Sequence, residues 1–569
     1  MKSKNKSLLF LIFFIIFPLV IITFFADYNF IDTSNYFFRT LLSGNYFYMY
    51  SSDWPFYNPL ESEYVFQPFV GIAQNIALIF NLIKYEESIF FAQFLIFFIS
   101  LIFLKKIVLK KNNFYEFSVI LTFILSPPFI FSFFQPLLTE TIFILFLTIF
   151  LFTIKKFIDE NKLYYLFFMI VLISLILLSK RSSIIILFSL NFFLMALSIK
   201  TYNKTYIFSF LICFIYSIVG YFFLVSYTKY SGIGDPLKNP IDFFYYYART
   251  DFIILYIYFI SFLNILYNYN SKLIINNFYT ISLLLTSTVY FFALVIFGKH
   301  SEYQQVICYL LVLPYFINCD FNNEFFKKRL VLITTFIFFL PLIFNKDIYA
   351  ILIIFIFINI FIFVFKRKVK YLFKNYVLNI LITFSIFYLI LPGTSMIYHR
   401  YLIGKNIDNV FLNLKPYEEL INNPEIFIHS STNPDCNESV MHNVIFNERL
   451  NYYFKKDYKL FRNPINNIEG CKKSLEYFES YYFPVSKSIF ENYQRKGGKI
   501  EPDIIISNYF SNKNALNSFL LNHSINPSKY KLFEYEFNYI WNIYYRIVSR
   551  ISAFEYRTPI VYLLVSKSD

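Results

Sequence analysis

Charge is scarce in this chain. Only 15% of its 569 residues are Asp, Glu, Lys or Arg, against about a quarter in a soluble domain. The five cysteines form no CxxC and no Cys/His ligand spacing, which argues against a zinc or dithiol redox centre. There is no P-loop, nucleophile elbow, HExxH or glycine-rich nucleotide site, and His399, His429, His442 and His523 have no metal-like spacing. Internal repeats and low-complexity linkers are also missing. A nucleotide-dependent enzyme needs a domain to hold its nucleotide, and the loops read below as cytoplasmic are too short to be one.

What the chain has instead is apolar residues, 57% of the total, with 80 Phe and 51 Tyr. They gather in blocks of about 17–22 residues, the length that crosses ~30 Å of hydrocarbon. The blocks lack strand-like alternation, so they are expected to be helices, which satisfy their own backbone groups in lipid. The net charge of +15 does not point to nucleic acid, because Lys and Arg sit in short loops between the blocks, as the positive-inside rule describes.

Topology follows from those loops. Leu8–Phe25, after Lys2, Lys4 and Lys6, reads as a retained first helix with a cytoplasmic N-terminus. It resembles a signal peptide, but no small-x-small cleavage site follows. The stretch 68–83, interrupted by Gln74, Asn75 and Asn81, reads as a helix lying at the interface. Further spans are expected at 88–104, 115–134, 138–154, 163–179, 182–199, 206–227, 251–268, 278–297, 303–318, 330–344, 348–365 and 374–392, about thirteen in all. This places Lys105, Lys106, Lys155, Lys156, Lys162, Lys200, Lys204, Lys272 and the Lys366–Lys374 cluster inside. Residues 1–392 then form the membrane domain, with a first outer loop at 26–87. Residues 393–569 form a small extracytoplasmic α/β domain with strand-like runs at Ile426–Ile428 and Ile504–Ile506. In an oxidising compartment Cys436 and Cys471 could pair there, or stay as free thiols.

The residues suited to chemistry fall on the outer side of this topology. The first loop is acidic and aromatic, with Asp27, Asp32, Asp53, Glu61 and Glu63 among Tyr, Phe and Trp54. A carboxylate at the lipid surface serves either as a general base for an acceptor hydroxyl or as a ligand for a divalent metal near a phosphate; a plain solvated acid is the bland alternative. Glu140, in "FFQPLLTETIF", opens a span, where it either faces a cavity or favours the helix dipole. Lys180 and Arg181, in "LLSKRSSIII", break the positive-inside rule. Either they meet an anion such as a lipid phosphate, or the span count is displaced here. Lys299 and His300 lie in the outer loop "GKHSEYQQ" with Glu302, Tyr303 and Gln304. Lys299 and His300 suit a phosphate or sugar; the alternative, for them as for Asp235, Arg249 and Asp251 in and beside another outer loop, is a plain loop residue. Soluble activated sugars are not available on that face, so a transferase working there needs a lipid-linked donor.

Asp32, Tyr36 and Gly44 in "DTSNYFFRTLLSGNYFY", followed by Leu138-Thr139-Glu140 and Ser179-Lys180-Arg181, resemble the GT-C class of polyprenyl-phosphate-sugar glycosyltransferases. The likeness is to lipid A aminoarabinose transferases and protein O-mannosyltransferases. The family's adjacent Asp-Glu pair is missing beside Asp32, and Glu302-Tyr303 stands where an Arg-Tyr is usual. The resemblance implies a GT-C-like helical membrane fold and an inverting transfer from a polyprenyl-phosphate sugar to a glycolipid, polysaccharide or protein acceptor in the cell envelope. It implies Asp32 or Asp27 as base, Glu140 as its helper, and Lys180, Arg181, Lys299, His300 and Tyr36 around the phosphate and substrate. An O-antigen polymerase or ligase, a lipid-linked polysaccharide flippase and a relative without activity are the competing readings.

Overall fold

The structure is a computed structural model that describes residues 85–108, 139–180, 182–228, 252–267, 277–297, 302–318, 409–410, 412–417, 426–429, 504–507, 512–522, 525–535 and 560–567. The expected spans at 8–25, 115–134, 330–344, 348–365 and 374–392 and the interfacial helix at 68–83 lie outside them. The described residues divide into a helical unit, 85–318, and a sheet unit from 409 onward.

Eight helices make up the helical unit among the described residues. They are α1 (Tyr85–Val108), α2 (Thr139–Glu160), α3 (Tyr164–Ser179), α4 (Ser183–Thr201), α5 (Lys204–Thr228), α6 (Phe252–Tyr267), α7 (Phe278–Ile296) and α8 (Glu302–Asn318). Each lies on one expected span. The clearest difference is at the end of α2, which runs six residues past the apolar block to Glu160. Lys156 pairs with Glu160 one turn later at 3.0 Å, an i,i+4 contact that supports helix in water.

Turn chemistry joins the helices. Asn161 adopts φ 51°, a left-handed conformation that Asn tolerates, and its N–H closes α2 onto the Phe157 carbonyl at 2.8 Å. Between α4 and α5, Tyr202 takes φ 55° and Asn203 caps the next helix, its Oδ1 accepting from the N–H groups of Thr205 and Tyr206 at 3.1 and 3.3 Å.

Packing fixes the helix directions. Lys155 Nζ donates to the carbonyls of Lys106 and Ile107, so α1 and α2 end side by side. The Tyr206 hydroxyl donates to the Ile158 carbonyl at 2.6 Å, and that of Tyr279 to Leu151 at 2.7 Å. The ends of α1, α2 and α4 and the starts of α3, α5 and α7 therefore share one end of the bundle. That end carries Lys105, Lys106, Lys155, Lys156, Lys162, Lys200 and Lys204 against Asp159 and Glu160.

The interior is apolar, and many of its hydroxyls are satisfied locally. Ser100, Thr153, Ser189, Ser198, Ser217 and Ser282 each donate to the carbonyl four residues back. Helix α8 is enclosed: from Val306 to Leu313 no residue exceeds 1% exposure. Its Cys308 carbonyl accepts from Ser287 Oγ on α7 at 2.7 Å, and Ser287 Oγ lies 2.6 Å from the Tyr258 hydroxyl on α6. Because the single serine proton goes to Cys308, tyrosine is the donor in that pair.

Three helices, Ser183–Thr201, Lys204–Phe223 and Phe278–Ile296, are long and apolar enough to cross a membrane, and Tyr164–Ser179, Ile257–Leu266 and Gln305–Phe316 are shorter apolar helices. Helices α3, α4 and α5 expose Phe167, Phe168, Phe188, Phe192, Phe208, Phe222 and Phe223. So many exposed rings suit hydrocarbon and not water. The chain is a helical membrane protein.

In the sheet unit, β1 (Ile426–His429), β2 (Ile504–Ser507), β3 (Tyr530–Tyr535) and β4 (Val561–Ser566) form a sheet of order β1-β2-β4-β3. β1 and β2 are parallel, with Ile426 opposite Ile504, and the other pairs are antiparallel. Tyr562–Val565 are buried on both faces, as in a covered central strand. Leu516 and Leu520 of α9 (Lys513–Asn522) pack with Ile505, Tyr530, Tyr562 and Leu564 to make the core.

Candidate functional site

The end of the helical bundle away from the lysines collects the starts of α1, α2, α4 and α8 and the ends of α3 and α7. The reason is local: α3 leaves the lysine-rich end through a three-residue turn, and α7 starts at that end against Leu151. Only the four residues 298–301 separate Phe297, which closes α7, from Glu302, so α8 begins where α7 finishes.

Of the sequence-selected residues, Glu140 is the second residue of α2 and Lys180 joins α3 to α4. Both stand at this far end. Lys180 adopts an extended backbone; its N–H closes α3 onto the Ile176 carbonyl at 3.0 Å, and its own carbonyl accepts from the Ser183 N–H at 3.0 Å. Two hydrogen bonds thus hold its Cα at the mouth of the helix pair, while the side chain is partly exposed. Asp27, Asp32, Tyr36, Arg181, Lys299, His300, Cys436 and Cys471 lie outside the described residues.

The charge of this end contrasts with the other. Among the described residues it carries Glu86, Glu87, Glu140 and Glu302 with Lys180, four acids to one cation. The helix starts add partial positive charge from unpaired N–H groups. Acids beside helix N-termini and a cation held between two helices suit a ligand that offers both an anion and hydroxyls. Among the described residues no cluster of His, Cys, Asp or Glu could hold a metal ion, so the described side chains supply no ready metal site.

One residue here escaped sequence reasoning. Gln305 closes the first turn of α8 with 0% exposure, and neither Nε2 nor Oε1 has a hydrogen-bond partner. Its only signal was position: in "EYQQVICYLL" the second Gln already belongs to the apolar run. Ser182, just before α4, likewise keeps a buried Oγ without a partner.

No family model and no curated protein matches the chain. Among solved structures it is similar to the crystal structure of ArnT from Cupriavidus metallidurans bound to undecaprenyl phosphate. The TM-score is 0.48 and the identity 11%, over 99% of this chain and 98% of that one.

Proposed function

We propose that this chain is an integral membrane glycosyltransferase that moves a sugar from a polyprenyl-phosphate donor to a hydroxyl acceptor on the outer face. The observation that carries the reading is the segregation of charge between the bundle ends: among the described residues, seven lysines against two acids at one, and four acids with Lys180 at the other. By the positive-inside rule the first end is cytoplasmic. The acidic end then faces a compartment without ATP or nucleotide sugars, where a lipid-linked donor is the available source of an activated sugar.

In this reading the Asp32 carboxylate, or Asp27, takes the proton of the acceptor hydroxyl as its oxygen attacks C1 of the sugar. The C1–O bond to phosphate breaks, and the phosphate leaves with the electron pair. In-line displacement inverts the anomeric centre. Lys180 and Arg181, with Lys299 and His300, stabilise the departing phosphate by charge-assisted hydrogen bonds. Tyr36 shapes the substrate side, and Glu140 orients the acceptor. The residues from 393 onward form an outer domain that selects the acceptor. A divalent metal between carboxylate and phosphate is compatible with the chemistry.

A flippase is the other class of protein with this hydropathy. Carriers place ionisable groups inside their spans, and among the described residues no buried side chain is charged. The deciding experiment supplies purified protein with a radiolabelled polyprenyl-phosphate sugar in liposomes. Transfer of label to added acceptor, abolished in Asp32→Asn with donor binding retained, is the expected result. Movement of the intact lipid across the bilayer without transfer would reject the proposal, and full activity in Asp32→Asn would reassign the base to Asp27.

A further inference from the structure

A buried carboxamide without partners is costly, because it has given up water and received nothing in return. Gln305 is in that condition at both ends of its amide. Other orphaned buried atoms in the bundle are single hydroxyls, such as Ser209, Ser261 and Thr286 Oγ, or one half of an amide, as with Asn191, whose Nδ2 donates to the Leu187 carbonyl while Oδ1 has no partner. A glutamine is different. It offers two donors and one acceptor in a fixed plane, so a single contact leaves most of it unsatisfied. The group that fits it presents a donor and an acceptor side by side, as vicinal hydroxyls do. Gln305 also stands at the functional end of α8, one turn from Glu302, in the half of the bundle that holds Glu140 and Lys180. The unpartnered Ser182 Oγ is at the same end.

We propose that the Gln305 carboxamide receives the sugar hydroxyls of the lipid-linked donor. The inference rests on the glycosyltransferase reading and goes beyond it, because it separates recognition of the sugar from recognition of the phosphate. Lys180 and its neighbours hold the part of the donor common to all polyprenyl phosphates. Gln305 reads the part that differs between them. Sites built to hydrogen-bond a hydroxyl discriminate strongly against ligands without one, since their own polar groups are then left buried and unpaired.

The test is a thermal-shift titration of the full-length protein in detergent. Two probes are used: polyprenyl phosphate carrying a hexose, and the same polyprenyl phosphate without sugar. The variant is Gln305→Met, close in volume and without polar atoms. The wild type is expected to bind the sugar-bearing lipid more tightly than the bare one. Q305M is expected to lose about tenfold on the sugar-bearing lipid, keep wild-type affinity for bare polyprenyl phosphate, and melt no lower than wild type without ligand. Where Q305M fails to accumulate, Gln305→Asn withdraws the amide by one methylene and carries the same comparison.

Equal wild-type and Q305M affinities for both lipids would overturn the proposal. So would a variant that loses both equally or melts several degrees lower, since Gln305 would then be a structural group or a water ligand. A wild type that does not distinguish the two lipids overturns it while leaving the donor lipid in place. A wild type that binds neither lipid overturns the glycosyltransferase reading itself.

Discussion

Lys155 Nζ lies 2.8 Å from the carbonyl oxygen of Ile107, so a side chain of α2 caps the end of α1. Removing the ammonium leaves those last carbonyls without their donor. Lys155→Met is expected to destabilise the protein by about 1–2 kcal/mol, the scale of a charge-assisted hydrogen bond. Reversible unfolding in mixed micelles would show this, and an unchanged midpoint would mean that water caps α1 equally well.

Ser287 ties three helices together through Tyr258 and Cys308. Ser287→Ala removes one oxygen and the two hydrogen bonds it makes, to the Tyr258 hydroxyl and the Cys308 carbonyl, while Tyr258 keeps its bond to the Ser287 backbone carbonyl at 3.1 Å. The expected cost is ~2 kcal/mol. Tyr258→Phe alone should cost less, because it leaves the Ser287–Cys308 bond intact, and the double variant should cost less than the sum. Strict additivity of the two would contradict a shared network.

A Cβ on Gly220 would stand 3.1 Å from Leu177 Cδ1, where α5 packs on α3. That neighbour is the tip of a flexible side chain, so Gly220→Ala is expected to be nearly neutral. Gly220→Leu should force the helices apart at a cost of about 1–3 kcal/mol. Retention of wild-type melting by the leucine variant would show that the two helices yield.

Glu160 receives Lys156 at 3.0 Å, Lys162 at 3.1 Å and the Tyr165 hydroxyl at 3.0 Å. These hydrogen bonds, those of Lys156 and Lys162 first, bring its carboxyl down from an ordinary 4.5 to about 2. A lowered folded-state value means that the stabilising contribution is present above pH 4.5 and fades as pH falls toward 2. The cluster is exposed, so the effect is small. Melting of wild type minus Glu160→Gln should be positive and constant from pH 7 to 5 and decline below 4.5. A difference that grows with acid would reverse the assignment.

Lys180 joins α3 to α4 through two backbone hydrogen bonds, which a change of its head group leaves in place. Lys180→Gln is expected to leave melting unchanged and raise KM for the polyprenyl-phosphate donor roughly tenfold, the worth of one charge-assisted contact. A fall in melting temperature with KM unaltered would make Lys180 a structural residue.

The sequence makes the helices legible because hydrocarbon imposes a minimum apolar length: eight of the expected spans between 88 and 318 fall on described helices, three of them long and apolar enough to cross a membrane. It makes the two ends of the bundle distinguishable because lysines concentrate at one set of turns. The overrun of α2 was hidden: Lys155 and Lys156 look like the end of an apolar block, although one caps α1 and the other pairs with Glu160. The strands at Ile426 and Ile504 announce themselves as short β-branched runs, while their order, with β4 inserted between β2 and β3, depends on contacts far apart in sequence. Gln305 was hidden for the opposite reason, since an amide within an apolar block reads as filler until its burial and missing partners are seen.

Helix α8 is walled in from Val306 to Leu313, and its main packing neighbours among the described residues, α1, α2, α6 and α7, precede it in the chain. That described part of its socket is therefore synthesised before the segment that plugs it. A helix that meets little lipid is positioned by its companions and not by partitioning, which is how Gln305 and the mid-helix Pro314 can ride into the interior of a membrane protein.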